Sequence, residues 1–332
     1  MMPELPEITV YVEALERFIV GHTLERVRVA SPSLLRTYDP PLSAALGRRV
    51  VEVRRIGKRI AIGLGPVVAA PAAEQPIADD RAGRRAAPGR RDANAPEIFL
   101  VIHLMVTGRL RWRPAGTPIP KKRAHAAFDF EHGTLLLTEA GTQKKASLHV
   151  VRGEAGLTAH RRGGIEPLEA SLAAFRDALL RENRTLKRAL TDPRIFSGIG
   201  NAHSDEILLD AELSPARRTS QLGESEIEAL YDATRASLTA WVARLREEVG
   251  EAFPEKITAF HPAMRVHGRY GKPCPRCGAP IQRIVYAQNE TNYCARCQTG
   301  GRLLADRAFS RLLREDWPRT LEELEDASGS VK

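Results

Sequence analysis

The sequence predicts a multidomain α+β protein in which a helix and a β-sandwich precede a helical domain and a short, cysteine-rich hairpin. Apolar residues recur at three-and-four spacing just after residue 6 and again after residue 153, which indicates helices. Between these regions, many short segments alternate apolar and polar residues, as half-buried strands do. All four cysteines lie between Cys274 and Cys297.

Length and charge limit the classes of function. The 332 residues are enough for two or three domains, and no run of 18 apolar residues or secretory signal occurs. We therefore expect a soluble, cytoplasmic protein. The net charge of +9 indicates a polyanionic partner, either nucleic acid or an anionic membrane face. Because no basic amphipathic helix is evident, we expect no membrane partner.

The first seven residues, Met1-Met2-Pro3-Glu4-Leu5-Pro6-Glu7, suggest chemistry. Without the methionines, the chain would start with the secondary amine of Pro3, followed at once by the acid of Glu4. Such an amine, with a pKa near about 8, is partly free base at neutral pH and can form an iminium with a sugar carbon. Glu4 could then move the proton. We expect Met2 to be the working start, because methionine is removed readily before proline; the alternative is an ordinary exposed terminus.

The strands and helices are predicted in order. Pro6 begins a helix whose apolar face runs from Ile8 to Ile19 and which Gly21 ends. Predicted strands cover residues 24–29, 51–54, 60–62, 98–106, 110–113, 127–130 and 134–137. Residues 65–97, rich in Ala, Pro and Arg, are predicted to be a disordered basic insertion. Predicted helices cover 168–182, with Leu172, Phe175, Leu179 and Leu180 on one face, then 185–190, 202–213 and 224–251.

Two further motifs suggest binding sites. Gly198-Ile199-Gly200-Asn201 is a tight turn before a helix, a place where backbone N–H groups can hold phosphate, although an ordinary turn is the alternative. Cys274-x2-Cys277 and Cys294-x2-Cys297 have the spacing of a tetrahedral Zn²⁺ site with no open position. We therefore predict one structural zinc in a β-hairpin finger of residues 280–293.

Taken together, the Met-Pro-Glu-Leu-Pro-Glu terminus, the strand-rich region, the G-x-G-N turn and the four-cysteine finger resemble the formamidopyrimidine-DNA glycosylase and endonuclease VIII family. The resemblance implies a helix-two-turn-helix domain and a bifunctional glycosylase and lyase of DNA repair. It implies that Pro3 is the nucleophile, Glu4 the acid and Lys58 a phosphate-binding lysine of the catalytic site. It assigns Glu7, Lys187, Asn201 and Arg283 to contact with DNA or support of that contact.

The resemblance also implies a division of the chain and a setting. Domains are expected at 1–151, 152–265 and 266–302, with a tail at 303–332. We expect a bacterial-type, cytoplasmic and nucleoid-associated monomer that binds double-stranded DNA with damaged or abasic sites. Oxidised purines of the formamidopyrimidine and 8-oxoguanine type are the expected substrates.

Departures from the family pattern keep alternatives open. Val106 occupies the position where the family places an intercalating methionine, and residues 138–146 lack the usual arginine-aromatic run. Asn289 replaces the arginine expected in the finger. Met105, Lys144 or Lys145 could substitute for the missing wedge. The alternatives are an endonuclease VIII-type enzyme for oxidised pyrimidines and a non-catalytic zinc protein that binds damaged DNA.

Overall fold

The computed structural model describes residues 2–67, 95–120, 124–140, 144–286, 289–305 and 318–329. The chain forms two compact units. Met1–Glu7, Arg161–Gly250 and Ile257–Lys332 form one, here called the helical–finger unit. Ile8–His160 and Glu251–Lys256 form the other, the sandwich unit. Among the residues described, no helix is both long and apolar enough to cross a bilayer.

The sandwich unit contains the predicted β-sheet structure in two antiparallel sheets. The elements of this part of the chain are α1 Leu5–Ile19, β1 Thr23–Leu24, β2 Arg26–Val29, β3 Arg48–Ile56, β4 Arg59–Val67, β5 Ile98–His103, β6 Gly108–Arg113, β7 Ala124–Phe130, β8 Gly133–Glu139, β9 Ser147–Arg152 and α2 Gly153–Thr158. The strand order is β1-β3-β4-β5-β9 in the five-stranded sheet and β2-β7-β8-β6 in the four-stranded sheet. One helix leading into two such sheets is the fold that the sequence predicted.

The predicted strand over residues 24–29 is wrong as a single element. Leu24 pairs with Arg48 of the five-stranded sheet, whereas Arg26–Val29 pairs with β7 of the other sheet. Between them, the Glu25 N–H donates to the Asp129 carbonyl at 3.0 Å. Alternation of side chains is the same in both sheets, so the sequence pattern did not reveal the change of partner.

The long apolar run predicted over 98–106 ends sooner than expected, at His103. Met105 has a positive φ of 54°, and its N–H donates to His103 Nδ1 at 3.0 Å. A side chain at Gly108 would place its Cβ 2.1 Å from the Leu104 carbonyl oxygen, so only glycine fits there. The result is a tight loop, residues 104–107, in which the Val106 side chain is exposed.

The sandwich core explains why β5 is apolar throughout. One face of β5 contributes Phe99 and Val101 to a cluster with Ile56, Ala61, Val151 and Leu157. Ile98, Leu100 and Ile102, on its other face, are buried as well. A strand with packing on both faces reads as a continuous apolar run instead of an alternating one.

The helical–finger unit contains α3 Leu172–Leu180, α4 Leu186–Thr191, α5 Asn201–Asp210 and α6 Glu224–Val249. The helix predicted from residue 168 begins only at Leu172, because the Ser171 side chain caps it by accepting from the Ala174 N–H at 3.2 Å. The predicted face is partly wrong: Phe175, Ala178 and Leu179 are buried, whereas Leu172 and Leu180 are exposed. Leu5 packs into the same core as Phe175, which anchors the start of α1.

The finger has the predicted hairpin, with β10 Ile281–Tyr286 antiparallel to β11 Asn289–Cys294 and α7 Ala295–Thr299 following. The region expected to be a tail contains α8, Leu321–Gly329. Leu321 is buried against the finger core, and its N–H donates to the Gly301 carbonyl at 3.0 Å. Most of the predicted insertion, residues 68–94, lies outside the described residues. The first residues predicted to belong to the insertion, 65–67, are instead the end of strand β4.

Candidate active site

The N-terminus of α5 lies directly against the chain terminus. Gly198 has a φ of 83°, which a side chain would disfavour, and Gly200 precedes the first helical residue. The Glu4 carboxylate accepts hydrogen bonds from the backbone N–H groups of Gly200, Ala202 and His203 at 2.7, 2.9 and 3.2 Å. An anion suits a helix N-terminus, where N–H groups lack intrahelical partners.

This contact gives the G-x-G-N turn a role that the sequence did not suggest. The sequence left open whether its N–H groups hold a phosphate or form an ordinary turn, and in the structure three N–H groups of the turn and the first helical turn hold a carboxylate of the protein itself. Glu4 is buried, with 1% of its surface exposed. The turn therefore positions the acid next to Pro3.

Pro3 is buried at the same place, and hydrogen bonds of the two residues that follow it hold the backbone there. The N–H of the Pro3–Glu4 peptide donates to Glu7 Oε2 at 2.7 Å. The next N–H, of Leu5, donates to the Gly198 carbonyl at 2.9 Å. The residue predicted to be the nucleophile thus lies at the start of a well-ordered helix.

Glu7 is held inside the unit. It is 1% exposed, and its Oε1 lies 3.0 Å from Nε2 of the wholly buried His203. Burial alone would raise the pKa of the Glu7 carboxyl, but the charge and hydrogen bond of His203, with the Glu4 N–H, lower it below its usual range. Its two oxygens serve the Glu4 N–H and His203, and a role for Glu7 in contacting DNA or supporting that contact remains a prediction.

Lys187 is also used internally. Its ammonium donates to the Asn201 carbonyl at 2.7 Å, to Ser204 Oγ at 2.8 Å and to Asp205 Oδ1 at 2.5 Å. An ammonium group has three hydrogens, so these contacts use them all. Lys187 therefore supports the first turn of α5, and its expected contact with a DNA phosphate remains a prediction.

Asn201 joins that turn to the finger. Its Nδ2 donates to the Glu290 carbonyl in β11 at 2.7 Å. Its side chain is only partly buried, unlike those of Ala202 and His203, which follow it. A role for Asn201 in clamping the DNA backbone remains a prediction.

Sequence reasoning missed a buried polar network on α5. Asp205 Oδ2 accepts from the Asn292 N–H at 3.1 Å and lies 2.6 Å from Nδ1 of His267. Glu206 accepts from three successive backbone N–H groups, those of Arg265, Val266 and His267. The signal was present: His203-Ser204-Asp205-Glu206 places four polar residues in succession, so no face of this buried helix is purely apolar.

The finger brings the four cysteine sulfurs together. All four Sγ atoms lie within 4.8 Å of one another. Tetrahedral Zn–S bonds of about 2.3 Å place sulfurs about 3.8 Å apart, so this cluster fits one Zn²⁺. Burial raises the pKa of Cys294 to about 11, and thiolates so close together need a cation. Arg283, on β10, lies over the Tyr270 ring at 4.3 Å and 3.9 Å from Glu290.

The sandwich unit contains the remaining predicted site residue. Lys58 is half-buried in the two-residue turn Gly57-Lys58 between β3 and β4, where Gly57 has a φ of 58°. The hairpin is therefore the predicted one, and the role of Lys58 remains a prediction. A second group of possible metal ligands within the described residues, His22, Glu131 and His132, is at the surface of this unit.

Comparison with known families decides the identity. The model of the Formamidopyrimidine-DNA glycosylase N-terminal domain matches residues 2–142, that of the H2TH domain of the same enzyme 164–249, and that of the zinc finger found in FPG and IleRS 271–300. Formamidopyrimidine-DNA glycosylase of Heliobacterium modesticaldum is 31% identical over 311 residues, covering 90% of this chain and 100% of that protein. The chain belongs to the formamidopyrimidine-DNA glycosylase family.

Further relatives agree with this assignment. The glycosylase of Geobacillus kaustophilus is 31% identical over 314 residues, again covering 90% of this chain and 100% of the relative. Among solved structures, Lactococcus lactis Fpg in complex with DNA containing an abasic site has the same fold, with a TM-score of 0.71 at 24% identity over 89% of this chain and 99% of that one. The predictions of a DNA glycosylase, a DNA repair enzyme with one structural zinc, are confirmed.

Proposed function

We propose that this glycosylase removes oxidised purines of the formamidopyrimidine and 8-oxoguanine type from double-stranded DNA and then cuts the strand at the resulting site. The supporting observation is the terminus itself. Pro3 is held at the start of α1, with its following peptide bonded to Glu7 and with Glu4 bound across the N-terminus of α5. Removal of Met2 turns the Pro3 nitrogen from an amide into a secondary amine, which is a nucleophile.

The amine supplies the covalent step. Its nitrogen attacks C1′ of a nucleotide turned out of the helix, the bond from C1′ to the damaged base breaks, and the base leaves with the bonding electron pair and takes a proton from water. Opening of the sugar gives an iminium between C1′ and Pro3. The iminium acidifies the C2′ hydrogen, so loss of that proton breaks the C3′–O bond; a second elimination can break the C5′–O bond. Water then releases the enzyme.

In this proposal, Glu4 handles the proton. Its Oε2 accepts two backbone N–H groups and its Oε1 only one. Oε1 therefore has the greater remaining capacity to accept the proton that the Pro3 nitrogen loses on attack and to pass it to the ring oxygen of the opening sugar. The N–H groups of α5 keep this carboxylate oriented throughout.

The rest of the chain binds the DNA in this proposal. Asn201, Arg283 and Lys58 contact the backbone of damaged or abasic duplex DNA, because phosphate contacts supply most of the affinity and fix the register. Residues 1–151 carry the amine, 152–265 and 266–302 grip the duplex, and 303–332 follow the finger. We place this monomer in the bacterial cytoplasm, at the nucleoid where its substrate is.

Trapping with borohydride tests the chemistry. Wild-type protein with a free Pro3, verified by intact mass, should form a covalent complex with abasic and oxidised duplexes. Pro3→Gly should lose most of it, whereas Pro6→Ala, which changes a proline that lacks this role, should keep it. Failure of the wild type to trap on any duplex would instead favour the alternative of a zinc protein that binds damaged DNA without turnover.

A lesion panel tests the substrate class. Excision rates on duplexes with formamidopyrimidine, 8-oxoguanine and oxidised pyrimidines should be highest for the two purine lesions. Highest rates on the pyrimidines would establish the endonuclease VIII-type alternative. The panel is needed because Val106, which occupies the position of the family's longer wedge residue, does not by itself favour purine or pyrimidine lesions.

A further inference from the structure

His203, in the first turn of α5, has contacts that the proposed chemistry does not yet use. The residue is wholly buried, with its ring edge-on to Trp241 of α6 at 5.6 Å between centroids. Nε2 bonds to Glu7, and the backbone N–H donates to Glu4 at 3.2 Å. One residue thus touches both glutamates that follow Pro3.

The charges around His203 explain why a base is present there. Glu4 and Glu7 are both buried, and two carboxylates so close together repel each other unless a cation offsets them. Within the described part of the chain, the ion pair with His203 is the only side-chain ion pair that involves either glutamate. Burial alone would lower the pKa of His203, but the Glu7 carboxylate, with Glu4 and Glu206, raises it above its usual value.

The groups packed around the ring leave it no other strong partner. The carboxylates facing it are those of Glu7, Glu4 and Glu206. On the side of α6, the His203 ring contacts the Trp241 ring. The Arg244 guanidinium lies 5.6 Å from the centroid of that Trp241 ring. Nδ1 is buried and has no hydrogen-bond partner among the described residues. Among the described residues, Glu7 provides the ring's hydrogen bond and Trp241 an edge-on aromatic contact.

The bond to Glu7 reaches the nucleophile by a short path. Glu7 uses Oε1 for His203 and Oε2 for the N–H of the peptide that joins Pro3 to Glu4. A shift of Glu7 would therefore rotate that peptide and the Pro3 ring with it. Misplacement of a reacting group by about 1 Å can lower a rate about 10²-fold.

We infer that His203 is a positioning residue for the terminal amine: it fixes Pro3 through Glu7 and supplies the positive charge that balances the two buried carboxylates beside the amine. This inference rests on the proposed function. The positive charge of His203 affects the protonation of the Pro3 amine. Without the positive charge, the carboxylates favour the protonated amine more strongly, so the pH at which Pro3 becomes nucleophilic rises.

Two variants and a matched control test this role. His203→Gln retains a hydrogen-bond donor for Glu7 but loses the positive charge. His203→Phe retains the ring contact with Trp241 but loses both the donor and the charge. His261→Gln is the control, because His261 also packs edge-on against Trp241, at 5.5 Å, and pairs with a carboxylate, Glu248, at 3.0 Å. Each protein is measured for borohydride trapping on an abasic duplex across pH, for affinity to a non-reactive abasic analogue, and for zinc content and melting temperature.

We expect His203→Phe to trap about ten- to a hundredfold more slowly than the wild type, with unchanged zinc and with duplex affinity within about twofold. His203→Gln should lose less rate, but its trapping midpoint should move to higher pH. His261→Gln should match the wild type. Equal rates and midpoints in all proteins would overturn the inference, as would a His203→Phe protein whose affinity and zinc fall together with its rate. A wild type that does not trap would instead refute the proposed function.

Discussion

At the scale of single residues, the Glu4 carboxylate has a structural role that the sequence did not reveal. The sequence alone suggests that Glu4→Gln removes a proton carrier without changing shape. The structure adds that the carboxylate accepts three backbone N–H groups, through both oxygens. An amide offers one oxygen, so its NH2 group must face at least one of these donors.

We therefore expect Glu4→Gln to lose base excision and also to be destabilised by about 1–3 kcal/mol, the usual cost of a buried donor without a partner. Urea unfolding and an excision assay on an 8-oxoguanine duplex measure the two effects. Glu4→Asp, which keeps the charge, is the comparison. An unfolding free energy equal to that of the wild type would show that the helix N-terminus does not depend on this residue.

The pair of Glu7 and His203 predicts a pH dependence of stability. Glu7 has a lowered pKa, so its contribution is present above its usual value of 4.5 and is lost as pH falls through the lowered pKa. His203 has a raised pKa, so its contribution is present below its usual value of 6.5 and is lost as pH rises through the raised one. The difference in melting temperature between the wild type and His203→Phe should therefore be largest between these two values and shrink on both sides. A pH-independent difference would contradict a charged pair.

At the scale of elements, the pattern of apolar residues predicted helices and strands better than their limits. It succeeded for the finger hairpin and for α6 because their spacing is regular. It failed where single hydrogen bonds set the limits of an element: the Ser171 side chain caps α3, which starts four residues late, and the Glu25 N–H bonds to Asp129 where the chain passes from one sheet to the other. The terminus and the cysteines could be recognised from residue type, whereas the partners of Lys187 and Glu7 depend on folds of distant segments.

The helix α5 connects the terminus to the finger and predicts a cost for breaking one bond. Asp205 is fully desolvated and bonds Lys187, His267 and the Asn292 N–H. Asp205→Asn leaves the Lys187 charge buried without its counter-charge, which typically costs about 3–5 kcal/mol. Thermal unfolding should show this loss, and Asp177→Asn, on the exposed surface of α3, should not. A normal melting temperature for Asp205→Asn would show that the network is dispensable.

The finger core predicts that metal and structure are lost together. The cysteines pack with Leu209 of α5 and Ile281 of β10 in one cluster. Cys297→Ser should therefore lose zinc, DNA affinity and part of its cooperative unfolding, because metal binding and folding are linked in such sites. Zinc content, duplex affinity and calorimetry measure these effects. Full affinity in a metal-free protein would show that the finger is incidental to DNA binding.

At the scale of the whole molecule, the net charge of +9 predicts strongly salt-dependent binding. If Arg283 contacts a phosphate, Arg283→Ala should reduce the slope of log affinity against log salt by about one. Arg276→Ala is the control, because Arg276 pairs with Glu212 and donates to the Leu209 carbonyl at 3.1 Å. Equal slopes for both variants would remove Arg283 from the interface.

The enclosed start of the chain has a practical consequence for anyone who expresses this protein. Pro3 lies buried, and the N–H groups of the next two residues are both hydrogen-bonded. An affinity tag or a leftover vector residue fused ahead of Pro3 would occupy the same crowded place and cap the nitrogen as an amide. Under the proposed mechanism, recombinant preparations with an N-terminal tag would bind duplexes yet be recorded as inactive. A cleavable tag after Lys332, separated from α8 by a spacer, avoids that false negative.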